Sequence, residues 1–181
     1  QAVVDGRNRG LRWVLDADIR DCFARIDGGR VLGMVEARVP DPLILALLEG
    51  WLAARAPDRA GRREAAGVSQ GGVLSPLLSN VYLHAFDAAV TRAGVHLVRY
   101  ADDLVCLTRR RREAEAARVL AAATLAGLGL ELHPRKTRVV HLDAGFVFLG
   151  THFLRNEVAS LRQPESGGGH PAGAAGRRSP R

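Results

Sequence analysis

The apolar positions of the chain fall into short runs and helical stripes, separated by polar or glycine-rich breaks. Trp13-Val14-Leu15 continues through Ala17 to Ile19, which reads as a buried strand over 13–19. Residues 1–12, polar and basic, lead into it as a helix or loop, and Ile26 to Gly29 predicts a turn after it. Helical spacing recurs over 30–38 and 41–56, punctuated by Pro40 and Pro42. Leu43, Leu47, Leu48, Trp51 and Leu52 form a stripe on the second of these helices and read as core packing. A polar stretch, 57–66, predicts a loop or ribbon. The glycine-rich segment that follows ends at Ser75-Pro76, a helix start. That helix runs through Val81, Leu83, Phe86 and Val90 to a C-cap at Gly94.

Two β-favouring runs, Leu97-Val98 and Leu104 to Leu107, flank the polar centre Tyr100-Ala101-Asp102-Asp103. This predicts a β-hairpin with an acidic pair at its turn. An alanine-rich helix follows over 111–127, with Val119, Leu120 and Leu125 on its apolar side. Strands are predicted at 138–142 and 151–154, the latter closing a hairpin with Gly145 to Gly150. Beyond Leu161 periodicity ends in Gly, Pro, Ala and Arg, so 162–181 reads as a disordered tail.

Composition narrows the class. The chain has 181 residues, enough for one domain with a real core, and is 47% hydrophobic and 25% charged. No run approaches about 18 apolar residues, so no membrane span is expected. Cys22 and Cys106 form no metal-spacing motif or disulfide framework, which suits a reducing cytoplasm. The six histidines show no zinc spacing either. Net charge is +7; four arginines against one glutamate put +3 in 162–181 and leave +4 for the rest. A basic balance suits a polyanionic partner. Lys136 is the only lysine, so 25 of the 26 basic residues are arginine. Arg99 and the run Arg109 to Arg112 invite a nucleic-acid reading, although short basic runs are commonly just solvated.

Adjacent aspartates at a rigid turn repel, and a hard divalent cation relieves that repulsion. A strand aspartate brought beside them, Asp16 or Asp18, makes a two-metal site for phosphoryl transfer. Tyr100 to Asp103 between apolar strands resembles the active-site hairpin of reverse transcriptases. Asp18-Ile19-Arg20-Asp21-Cys22-Phe23 resembles their first catalytic motif. Gln70-Gly71, followed by Ser75-Pro76, resembles their nucleotide-facing loop; Gly145 to Gly150 resembles their primer grip. Five motifs in family order cover residues 11–154, and the nearest resemblance is to bacterial group II intron-encoded reverse transcriptase/maturases.

The resemblance implies an α+β polymerase palm over 1–161, an antiparallel sheet with helices packed on one face. It implies RNA-directed DNA polymerase activity, with Asp18, Asp102, Asp103 and the Ile19 carbonyl holding two Mg²⁺ ions, for which Mn²⁺ can substitute. Phe23, Gln70 and Gly71 would meet the incoming dNTP, Phe23 excluding a ribose 2′-hydroxyl. Tyr100, Phe148, Leu149 and Gly150 would touch the primer. Lys136 falls in the family's fourth palm motif, as proton donor to pyrophosphate or as a phosphate contact. Expected partners are an RNA template, a DNA primer, dNTP and intron RNA, with no membrane. Phe23-Ala24 stands where Phe-Asp is usual, and Val68-Ser69 where Thr-Pro is usual. The fingers and thumb of the family are expected to lie outside this chain, which alone should polymerise poorly. The alternative is a non-catalytic, maturase-like RNA-binding remnant. A viral RNA-dependent RNA polymerase would more often carry Gly-Asp-Asp and a smaller sugar-gate residue.

Overall fold

In the computed structural model, which describes residues 1–53, 68, 72–154 and 157–160, strand β1 (Trp13–Asp18) separates two cores. Successive side chains of a strand point to opposite faces. Leu15, Ala17 and Ile19 therefore enter one core, and Val14 the other. β2 (His96–Tyr100) and β3 (Asp103–Thr108) form the predicted hairpin, and β4 (Arg138–His141) lies on the far edge. The sheet order is β2-β3-β1-β4, every pair antiparallel. β1 and β3 are thus central, and their register sets Asp18 directly opposite Asp103.

The first face is covered by two helices, α5 (Ser75–Arg92) and α6 (Arg111–Gly127). Among the described residues four more helical segments precede them: α1 (Ala2–Asn8), α2 (Cys22–Arg25), α3 (Gly28–Glu36) and α4 (Pro42–Ala53). From α5, Leu78, Tyr82, Leu83, Phe86 and Val90 meet Leu104 and Cys106 of the sheet. The Tyr82 hydroxyl donates to the Leu128 carbonyl at 2.7 Å, so this buried phenol is satisfied where α6 ends. The second core joins Val3 of α1, Val14, Val105 and Leu107 to a small sheet of β5 (Phe146–Phe148), β6 (Thr151–Leu154) and β7 (Glu157–Ser160). No helix among the described residues is long and apolar enough to cross a membrane.

Four local expectations need correction. Gly28 and Gly29 open α3 instead of forming a turn, because the Asp27 carboxylate accepts from Arg30 N at 2.9 Å and caps the helix. On α4 only Leu48 and Leu52 pack on the core; Leu43, Leu47 and Trp51 are 78%, 70% and 57% exposed. That helix meets the rest of the described molecule along α3, so one edge of its stripe is covered and the other is not. On α6 the buried face is Ala114, Ala117, Ala121 and Leu125, leaving Val119 outside. Small side chains let a helix sit close to a sheet, so size was the wrong guide there. Strand 138–142 ends one residue early, since Leu142 begins a 3₁₀ turn. The loop at 57–66 and the tail at 162–181 lie outside the described residues.

Candidate active site

The connection between β2 and β3 is two residues long, Ala101 and Asp102, closed by the pair Tyr100–Asp103. Ala101 has a φ of 54°, a left-handed conformation that costs an L-residue about 1–2 kcal/mol. Such a turn persists only where its surroundings fix it. Two bonds do so: Ile19 N donates to the Asp102 carbonyl at 3.0 Å, and an Arg99 amine donates to the Ala101 carbonyl at 2.8 Å. Arg99 is itself held by α5. Its guanidinium forks onto both Asp87 carboxylate oxygens at 2.7 and 2.6 Å, and the same amine that holds Ala101 reaches Asn80 at 3.1 Å. The Arg99 side chain is only 7% exposed. It is therefore an internal brace for the turn and not a nucleic-acid contact. Sequence reasoning missed this partnership, although a lone charge in an apolar strand, with Asn80 and Asp87 seven apart on one helix, was a usable signal.

Asp16, Asp18 and Asp103 line a cleft of ≈ 310 Å³ together with Arg135, Lys136, Arg138 and Val147. Asp16 sits opposite Arg138 in the β1–β4 register and pairs with it at 2.9 Å. Burial pushes the Asp16 carboxyl up, while Arg138 opposes that shift. Asp103 is also pushed up, first by burial and then by the charges of Asp102 and Asp18. Lys136 lies in a turn tied to β1, where His133 N donates to the Asp18 carbonyl at 2.7 Å. Its ammonium donates to Asp18 Oδ2 at 2.8 Å. That hydrogen bond holds the Lys136 proton more tightly than usual.

Asp18, Asp102 and Asp103 are hard oxygen donors, a set that suits Mg²⁺ or Mn²⁺. Among the described residues, however, no three His, Cys, Asp or Glu side chains converge closely enough to enclose an ion. The cation in contact with Asp18 is the Lys136 ammonium. A divalent ion at Asp18 would compete with it for that carboxylate. Lys136→Ala is therefore expected to bind Mn²⁺ about three- to tenfold more tightly, because one competing positive charge is gone. Calorimetric titration reads this directly, and an unchanged affinity would mean that the ammonium does not compete.

The remaining predicted site residues are spread around this centre. Phe23 lies in α2, behind Asp21 in a left-handed conformation, and is half-buried. Its carbonyl accepts from Val68 N at 2.7 Å. Gln70 and Gly71 lie outside the described residues. Tyr100 is 67% exposed at the end of β2. Leu149 and Gly150, with φ of 50° and 68°, make the β5–β6 turn, while Phe148 is buried in the second core. Val147 faces the carboxylate cleft instead, a residue that the primer-grip reading did not single out. Cys22 and Cys106 are free and buried, their thiols pushed up to about 11 and about 12, mainly by that burial.

Comparison with known proteins fits this geometry. Residues 3–153 match the family model described as reverse transcriptase (RNA-dependent DNA polymerase). Protein YkfC of Escherichia coli (strain K12) is 31% identical over 186 residues, covering 83% of this chain and 49% of that protein. The group II intron-encoded protein LtrA of Lactococcus lactis is 30% identical over 111 residues, covering 61% of this chain and 18% of that protein. The chain thus spans about half or less of these curated relatives. Apo telomerase from Candida tropicalis superposes with a TM-score of 0.69 at 13% identity, over 88% of this chain and 35% of that one. Telomerase from Candida albicans, in complex with a fragment of telomeric RNA, gives 0.62 at 15% identity, over 83% and 32%. These two structures establish the shared fold. With the family model matched over most of its length, the chain belongs to the reverse transcriptase family.

Proposed function

We propose that this chain is the palm of an RNA-templated DNA polymerase of the group II intron type, transferring a nucleotidyl group from dNTP to a primer 3′-hydroxyl. The observation that carries this is the meeting of Asp18 and Asp103 across the two central strands, with Asp102 in a braced turn beside them. Asp18, Asp102, Asp103 and the Ile19 carbonyl would hold two divalent ions. Those ions, when bound, supply activation of the 3′-hydroxyl and neutralisation of the pyrophosphate charge.

The chain's own residues do the rest. A bond forms between the 3′-oxygen and the α-phosphorus, the hydroxyl proton passing to water, as the bond from that phosphorus to the bridging oxygen breaks. Lys136, once released from Asp18, can contact the departing pyrophosphate or pass it a proton. Arg99 fixes where Asp102 stands. Tyr100 and the Leu149–Gly150 turn flank the primer terminus, and the half-buried Phe23 ring limits room beside the sugar. RNA template, DNA primer and intron RNA are the partners in this reading, which draws on the relation to group II intron-encoded LtrA.

Primer extension on an RNA template by a longer polypeptide carrying this palm is the direct test. Phe23→Ala should raise rNTP use relative to dNTP about tenfold or more, the scale on which steric pockets discriminate small groups. An unchanged ratio of kcat/KM values returns Phe23 to a packing role. RNA binding without any extension would favour the non-catalytic, maturase-like reading, to which the Lys136–Asp18 contact also lends support.

A further inference from the structure

At the end of β1 away from Asp18, about 17 Å along the strand, lies a basic cluster that the polymerase site does not use. Arg12 and Arg109 follow directly on the last ladder pair, Trp13 with Thr108. Arg12 N donates to the Thr108 carbonyl at 2.9 Å, and Thr108 Oγ1 donates to the carbonyls of Trp13 and Arg110. These bonds tie the run Arg109 to Arg112 to the strand. The Arg111 guanidinium lies over the Trp13 ring, 5.7 Å from its centre, and the His141 ring meets Trp13 edge-on at 5.1 Å. Arg12 and all four arginines of the run are exposed.

The local carboxylates do not neutralise this charge. Glu113 accepts from the backbone amides of Arg109 and Arg110, and Asp143 lies beside His141 at 3.6 Å. Among the described residues neither is ion-paired with the five arginines. Positive charge is also unfavourable at a helix N-terminus, where α6 begins, and adjacent arginines repel one another. Arg111 packs on Trp13, but the other arginines of the run add like charge to this helix start.

We propose that this end of the sheet is a second binding surface, for the backbone and unpaired bases of single-stranded RNA. Guanidinium forks match phosphate oxygens, and aromatic and guanidinium planes offer stacking faces to bases. Beside Arg109 a cleft of ≈ 500 Å³, lined by Leu11, Val95, Leu107 and Leu120 among others, gives a splayed base a concave apolar seat. Charge, ring faces and cleft together favour nucleic acid over an anionic lipid surface. The choice of RNA among nucleic acids rests on the polymerase reading above; the surface itself does not.

Fluorescence anisotropy of a labelled 20-nucleotide single-stranded RNA, titrated with the full 181-residue chain, tests the surface. Arg109→Ser, Arg110→Ser and Arg112→Ser combined should weaken binding at least about tenfold. They should also reduce the slope of log affinity against log salt by about 2, near 0.7 per lost phosphate contact. Circular dichroism checks that the variant is folded. In a Trp51→Phe background Trp13 is the sole tryptophan, and its fluorescence should change when RNA binds. Unchanged affinity and slope in the folded triple variant overturn the proposal. So does a preference for phosphatidylserine vesicles over RNA at equal salt. Because no step requires primer extension, failure of the polymerase reading leaves these outcomes independent.

Discussion

Asp102→Asn, made in a longer polypeptide that carries this palm, is expected to lower single-nucleotide incorporation by at least about 10³-fold. The substitution keeps the shape of the side chain and removes the negative charge that a divalent ion needs. Metal assistance to phosphoryl transfer is worth several kcal/mol, and each 1.4 kcal/mol or so is a factor of ten in rate. Asp18→Asn should fall as far, since that carboxylate faces Asp103 from the neighbouring central strand. Rapid-quench kinetics at saturating dNTP would read the chemical step, and RNA affinity should hardly move. A loss confined to KM, or a loss of less than about tenfold, would remove these residues from the proposed metal site.

The second large effect is on stability. Arg99→Ala should lower the melting temperature of the chain by about 6–12 °C. The substitution strips the guanidinium from Asp87, Asn80 and the Ala101 carbonyl at once. Breaking a buried pair on one side costs about 3–5 kcal/mol. Asp87 keeps 31% of its side chain in contact with solvent, so about 3 kcal/mol is the better figure for this site. For a domain of this size each kcal/mol shifts the midpoint by about 2–4 °C. Arg99→Lys should recover only part of the loss, because an ammonium cannot fork onto both carboxylate oxygens while also reaching the turn. A melting temperature for Arg99→Ala within about 2 °C of the parent would show that the turn stands without its brace.

What the sequence made legible was the centre of the molecule. Leu104 to Leu107 and Trp13 to Leu15 are apolar on both strand faces because each face meets a separate core, and unbroken apolar runs are easy to find. The two carboxylate positions followed from those strands. Less legible was anything decided by which side of a helix is covered. The stripe on α4 looked like core because apolar side chains recur there, yet Leu43 and Leu47 are exposed. The covering face of α6 is written in alanines, and Val119 pointed the wrong way. Glu157 to Ser160 carries no alternation, so β7 was not foreseen. Lys136 stood out as the only lysine, but its contact with Asp18 depends on a turn and a strand 118 positions apart.

The sheet order also bears on how the molecule assembles. Asp18 and Asp103 are 85 positions apart and meet only through the β1–β3 ladder at the middle of the sheet. Closing so long a loop carries an entropy cost that must be met before the contact stabilises anything, which makes such pairings slow. The β2–β3 hairpin can form locally and early, carrying Asp102 and Asp103 on an unbraced turn. The acidic centre is complete only once β1 has docked between β3 and β4 and buried its apolar faces. A nascent or partly unfolded chain therefore holds Asp18 apart from Asp102 and Asp103, and the proposed metal chemistry would depend on the β1–β3 ladder being formed.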